Sequence, residues 1–263
     1  MRGNLLFLFV CSAAWAQAQT VYVNVQTGLL GTMDPKTGVY SEIGETIIDG
    51  ATFATTMLDI AVDSDGIIYG SALGGDLLRV DPKDVYQITR LGQSVNVVRT
   101  TVIGKQGLPF WAEGLAINPL NGVLYGYDNE FLYTFDKTTG AGTKVGAVVD
   151  PNRPNVLGDI AFDHQGRLFG FSHIWTYQFN LNTGNATVVG THNMLGAYGA
   201  AFQGSILYGY SQHERKVFGY DVQSNQVVSA TPYVGAPGNW AIYGAASNPV
   251  PEPASLLAVA VGI

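Results

Sequence analysis

Cysteine is all but absent: the single Cys11 lies within the first apolar stretch, so the rest of the chain has neither disulfides nor thiol chemistry to draw on. Charge is sparse, at 13% of 263 residues. Lys and Arg are outnumbered, 13 against 20 Asp and Glu, and they form no cluster able to neutralise phosphates, which argues against nucleic acid as a partner. No segment carries a helix-period pattern of useful length, and no apolar run approaches the roughly 20 residues of a membrane-spanning helix. There is no Gly-x-Ser-x-Gly elbow, no phosphate loop and no HxxxH or HxH spacing among His164, His173, His192 and His213. No cofactor, metal site or catalytic constellation is therefore assigned, and the histidines read as loop residues.

What the chain has in quantity is glycine, at 33 residues, and tyrosine, at 14. Both suit short strands joined by tight turns. The stretch Gly158–Gly190 shows the pattern best. Its four β-type runs are separated by Asp163-His164-Gln165-Gly166 and Asn180-Leu181-Asn182-Thr183-Gly184, where Asp and Asn can bond their own backbone and Gly accepts a positive φ. Relatives of this unit recur at intervals of roughly 40 to 55 residues, the length of a four-stranded propeller blade.

Three anchors mark the repeats. A small residue in the first run stands at Ala61, Ala116, Ala161, Ala201 and Ala246. An aromatic-Gly pair in the second run stands at Tyr69-Gly70, Tyr125-Gly126, Phe169-Gly170 and Tyr208-Gly209. An Asp-x-x-Thr-Gly turn stands at Asp34–Gly38 and Asp136–Gly140 and, as its Asn form, at Asn180–Gly184, with degenerate forms at Asp81–Asp84 and Asp221–Asn225. A first run lacking its second (240–247) and a second run lacking its first (Val21–Val25) together complete one unit. The expected fold is all-β: a propeller of five four-stranded blades, closed by pairing of the N- and C-terminal strands, which removes exposed sheet edges. The stretch Val85–Lys105 is longer than its counterparts and reads as an extended hairpin or as part of a further unit.

The two ends point to export. Residues 1–18 have the form of a secretory signal peptide, with Arg2, the apolar run from Leu5 to Val10, and a small-x-small cleavage pattern at Ala16 and Ala18. The propeller occupies 19–247. The tail, 248–263, breaks the strand pattern with prolines. Its Val250-Pro251-Glu252-Pro253-Ala254-Ser255 string, followed by the apolar Leu256–Ile263, resembles the PEP-CTERM sorting signal of exported proteins of Gram-negative bacteria. The resemblance implies the export machinery and an exosortase-like processing enzyme as partners, a secreted or cell-surface location, and membrane contact through the tail alone. The tail departs from the family in its short apolar run and missing Arg-rich cluster, and reads as truncated or defective. The Leu-Tyr-Gly and Asp-x-x-Thr-Gly units are similar to repeat domains such proteins carry, a resemblance that implies no activity.

Two kinds of site are expected. Phe110, Trp111, Tyr198, Trp240 and Tyr243 share one repeat position, the loop entering the first run, and would form an aromatic rim able to stack on sugar rings, with Glu113 and Asp159 beneath. The bland role for the same aromatics is to plug gaps between blades. Alternatively, Asp59, Glu113 and Asp159 at the channel entrance would serve a glycan lyase or hydrolase, or else cap loop backbone. Asp63-Ser64-Asp65-Gly66 hints at calcium but reads first as a hairpin turn, since the remaining ligands of a calcium loop are missing. The leading expectation is a non-enzymatic binding or scaffold protein for polysaccharide or a surface-protein partner; a spacer with no small ligand is a third option.

Overall fold

The computed structural model describes residues 20–148, 157–172, 174–236 and 241–247. Among them every regular element is a β-strand. The strands are β1 (Val21–Val25), β2 (Leu29–Met33), β3 (Tyr40–Ile48), β4 (Met57–Val62), β5 (Ile68–Ala72), β6 (Asp76–Arg90) and β7 (Gln93–Lys105). There follow β8 (Gly114–Ile117), β9 (Leu124–Tyr127), β10 (Phe131–Phe135), β11 (Gly142–Ala147), β12 (Leu157–Phe162) and β13 (Leu168–Ser172). The last are β14 (Trp175–Phe179), β15 (Ala186–Thr191), β16 (Ala197–Gln203), β17 (Ile206–Ser211), β18 (Lys216–Asp221), β19 (Gln226–Pro232) and β20 (Ile242–Ser247). No helix among the described residues is long and apolar enough to cross a membrane.

Three sheets are antiparallel four-stranded meanders: β8–β11, β12–β15 and β16–β19. An eight-stranded sheet runs β20-β1-β2-β3-β7-β6-β5-β4, its two halves joined by parallel pairing of β3 with β7. The C-terminal strand pairs antiparallel with the N-terminal one, Val23 opposite Ala245. The chain architecture is thus that of a β-propeller. The inner strands lie against one another in the order β20, β4, β8, β12, β16 and back to β20.

Local chemistry explains the repeat. The five anchor alanines are buried and line a narrow axial cavity of about 20 Å³, room for roughly one water molecule. Only a small side chain fits where inner strands crowd the axis. The second-run aromatics fill the space between sheets instead. Tyr125 on β9 meets Phe162 on β12 edge-on at 5.4 Å, and Phe169 on β13 meets Phe202 on β16 at 5.5 Å. Such pairs add about 0.5–1.5 kcal/mol each beyond their area burial.

The turn anchor does two jobs. Its acidic or amide oxygen accepts the backbone N–H two residues on: Asp34 from Lys36, Asp136 from Thr138 and Asn180 from Asn182, at 2.7–2.9 Å. The degenerate turns keep this bond, Asp81 from Lys83 and Asp221 from Gln223. Its terminal glycine has a positive φ and abuts the outer strand of the preceding unit, Gly140 against Gly104 and Gly184 against Gly146. Sheet twist brings these points together by turning the outer strands across the blade.

The stretch 85–105 is a hairpin and contains no further unit. β6 and β7 pair from Asp76↔Lys105 to Arg90↔Gln93 and turn at Leu91-Gly92. Arg90 donates to both carboxylate oxygens of Glu45 on β3 at 2.7 and 2.9 Å, tying the hairpin to the neighbouring outer strand.

Candidate functional site

Among the described residues, loops 49–56, 106–113 and 192–196 lead into the inner strands β4, β8 and β16. Phe53, between β3 and β4, is 75% exposed, and Phe110, between β7 and β8, is 61% exposed. Trp111 beside it and Tyr198 at the start of β16 are each exposed to a little over a third. Of the expected aromatics, Phe110, Trp111 and Tyr198 reach solvent, but not as one cluster: Trp111 leads into β8 and Tyr198 lies on β16, and β12 stands between these two inner strands. Tyr243 on β20 is half-buried. Trp240, the cleavage positions Ala16 and Ala18, and the sorting motif Val250–Ser255 lie outside the described residues, as does His173.

Around Tyr198 the surface sinks into a shallow depression of about 570 Å³, lined by Leu195, Gly196, Tyr198, Gln212 and His213. It combines an aromatic ring, an imidazole and an amide within one open surface. Gln212 and His213 follow β17, and nothing in the repeat pattern sets them apart from ordinary turn residues; only the fold brings them beside the β16 loop.

Two of the three expected carboxylates do converge, but not at the rim. Asp59 on β4 and Asp159 on β12 are fully buried at the axis and stand within hydrogen-bonding contact of each other. Asp159 is thus corrected from a rim residue to an axial one. The cause is local: Asp59 and Asp159 precede their anchor alanines by two positions, as do Gly114, Gly199 and Gly244, so all sit at one level of the inner strands. Three glycines there leave space for two carboxyls.

Each carboxyl takes N–H groups from other inner strands. Asp59 Oδ2 accepts from Leu115 N on β8. Asp159 Oδ2 accepts from Ala200 N on β16 at 2.5 Å and more distantly from Ala245 N on β20 at 3.5 Å, and its Oδ1 accepts from its neighbour Ile160 at 2.5 Å. Burial, then the like charge of Asp159, drives the Asp59 carboxyl well above the usual carboxylate range. Burial pushes Asp159 up to about 8, although its N–H donors favour the anion.

Glu113 stands apart, accepting from the Asn129 side-chain amide. Carboxyl pairs that cleave glycosides stand about 5–9.5 Å apart across an open substrate site. Asp59 and Asp159 touch and are closed to solvent, which leaves no room for a sugar between them. Their arrangement binds backbone.

Asp63 is a turn residue with an added partner. Its Oδ1 accepts from Ser64 N at 2.7 Å, and its Oδ2 meets Lys137 Nζ of the adjacent sheet at 2.5 Å. Against the effect of partial burial, these bonds hold its carboxyl below the usual range. A lysine ammonium occupies the place a cation would take. Among the described residues, no group of three or more His, Cys, Asp or Glu side chains is arranged to hold a metal ion. His192 is buried and stacks on Phe171 at 4.3 Å, a packing role.

No protein-family model and no curated protein matches this chain. Solved structures do. A chain of a nidogen/laminin complex superposes with a TM-score of 0.54 at 12% identity, covering 88% of this chain and 98% of its own length. A symmetrical protein described for its de novo evolutionary emergence superposes with a TM-score of 0.52 at 15% identity, covering 82% of this chain and 94% of its own. At such identities the likeness is one of fold: this chain is similar to these proteins as a β-propeller.

Proposed function

We propose that this chain is an exported, non-enzymatic binding module, a propeller of five four-stranded blades closed by its N- and C-terminal strands. The eight-stranded sheet counts as two blades fused through β3 and β7, which supports the number five. The signal-peptide pattern at 1–18 and the Pro-Glu-Pro tail support secretion or surface display through an exosortase-like route. Membrane contact is through the tail alone. The ligand is a polysaccharide or a surface-protein partner, engaged through the loops that lead into the inner strands.

The observation that carries this reading is the depression at Tyr198, where an exposed ring stands beside His213 and Gln212 in a surface too open and too sparsely charged for catalysis but suited to a sugar face. Binding is tested on a glycan array and by pull-down from extracellular-matrix extracts. Tyr198→Ala is expected to weaken binding about tenfold or more, the loss usual for an aromatic anchor, with the melting temperature nearly unchanged. If neither assay yields a ligand, or Tyr198→Ala binds as tightly as the parent, the reading fails.

A further inference from the structure

The axial carboxyls do more than fill a channel. Asp59 reaches from β4 to β8, and Asp159 reaches from β12 to β16 and, more loosely, to β20. Their mutual contact joins these two sets of strands. The inner strands thus meet at one pair of side chains.

That pair is short of hydrogen. Asp59 Oδ1 is buried and accepts no bond, and so is Asn24 Oδ1 on β1. The amide of Asn24 is already committed, donating to Met57 O at 2.8 Å. The two bare oxygens flank the same spot: a Cβ built on Gly244 would lie 1.9 Å from Asp59 Oδ1 and 2.6 Å from Asn24 Oδ1. Buried acceptors without donors are costly, and two of them side by side repel. A proton on Asp59 relieves that crowding of acceptors by turning one of them into a neutral acid with a hydrogen to donate. It also leaves Asp159 as the anion, the better-placed of the two, since Asp159 receives N–H groups from Ile160, Ala200 and Ala245 and Asp59 from Leu115 and Ile60.

We propose that Asp59 and Asp159 hold one proton between them, carried on Asp59, and that this proton is a pH-dependent clasp on the inner strands of the propeller. No Lys, Arg or His occurs on β1, β4, β8, β12, β16 or β20 to replace it. The other titratable groups on and immediately flanking those strands are Tyr22, Asp63, Glu113, Asp163, Tyr198 and Tyr243; the cations nearest them, Lys137 and Arg167, are paired with Asp63 and Asp163. Loss of the proton leaves two carboxylates in contact in a closed space.

The sign follows from linkage. Both folded-state carboxyls titrate above the ordinary range, so the folded protein holds a proton that the unfolded chain releases near pH 4. The stabilisation is complete below that pH and is lost as pH rises through the raised titration of the pair. Asp34, Asp63, Asp136 and Asp221 are shifted down instead and act at the acid end, outside this window.

The test is the melting temperature of the full-length protein from about pH 5 to about pH 9, with EDTA present, for the parent and Asp59→Asn. The neutral amide mimics the protonated acid. The parent is expected to lose melting temperature steadily across the window, and the variant to lose much less; histidines, common to both, cancel in the difference. Infrared spectroscopy gives a second readout that does not need the variant: a protonated-carboxyl C=O stretch in the parent at neutral pH that disappears in alkali. Parallel pH curves for the two proteins, or no such stretch, would overturn the proposal. So would a parent stabilised by added calcium and weakened by EDTA, since a cation rather than a proton would then hold the pair.

Discussion

Gly184 shows what a single residue contributes. It closes the Asn180–Gly184 turn at φ +79°, and a Cβ there would stand 2.6 Å from the carbonyl oxygen of Gly146 on the preceding sheet. Gly140 repeats the geometry at 2.7 Å from Gly104 O. In the β18–β19 turn the place is taken by Asn225, at φ 57°, since asparagine tolerates the left-handed region. Gly184→Ala combines left-handed strain with a backbone clash and is expected to cost about 2–4 kcal/mol. That should appear as a fall of roughly 5–15 °C in thermal unfolding; a melting temperature within 1–2 °C of the parent, within the usual reach of a neutral substitution, would show that the contact is not tight. The turn itself was legible, because Asp, Thr and Gly act on their own backbone. The carbonyl that forbids a side chain at Gly184 belongs to another sheet and leaves no local mark. Asp63 makes the same point: its turn was readable, while its partner Lys137 lies 74 positions away. Asp59 and Asp159 were both singled out at the channel entrance, but spacing along the chain carries no distance between them. Asn24 had no signal at all, being one polar residue in an otherwise apolar strand.

At the scale of elements, the β6–β7 hairpin is the departure from regularity. Its length was visible as a surplus between repeats, and a hairpin was among the readings. The parallel pairing with β3 was not visible, because it depends on how two sheets meet. The Arg90–Glu45 pair and the Arg99 contact to Asp49 hold the hairpin against its neighbour, and Arg99 to Asp84 ties the hairpin's own two strands. Exposed pairs of this kind are each worth about 0–1 kcal/mol, so the backbone ladder is the larger contribution. The tip is the weak point. Leu91 and Gly92 both have positive φ, 50° and 79°, as a two-residue turn matched to strand twist requires. Leucine is poorly suited to that conformation, and Leu91 is 99% exposed, so it gains nothing from packing. Leu91→Asn installs the preferred Asn-Gly pair and is expected to stabilise by about 0.5–1 kcal/mol, a rise of roughly 1–4 °C in melting temperature. An unchanged or lower value would mean that the leucine is held by contacts outside this chain.

For the whole molecule, the governing feature is that its last strand belongs to its first sheet. β20 pairs with β1 over Val21↔Ser247 to Val25↔Ile242 and lies between β16 and β4 at the axis. Ala245 and Ala246 are both buried. The sequence foretold this join from two incomplete repeats, each lacking what the other had, and that argument needed only the order of anchors along the chain. Its energetic weight follows from the structure. Without β20, the inner edge of β1 is bare, Asp159 loses an N–H donor, and β4 and β16 each expose an apolar flank. Sheet edges of that kind recruit other chains. A chain ending before residue 241 is therefore expected to aggregate or to unfold non-cooperatively in urea. A chain ending at Ser247, which lacks the Pro-rich tail but keeps β20, is expected to unfold in one transition at the parent's midpoint. Size-exclusion chromatography and urea titration of the two truncations separate the cases. Should the shorter chain remain monomeric and fold cooperatively, the ring would owe its integrity to the remaining inner strands, and the closing strand would be an accessory to it.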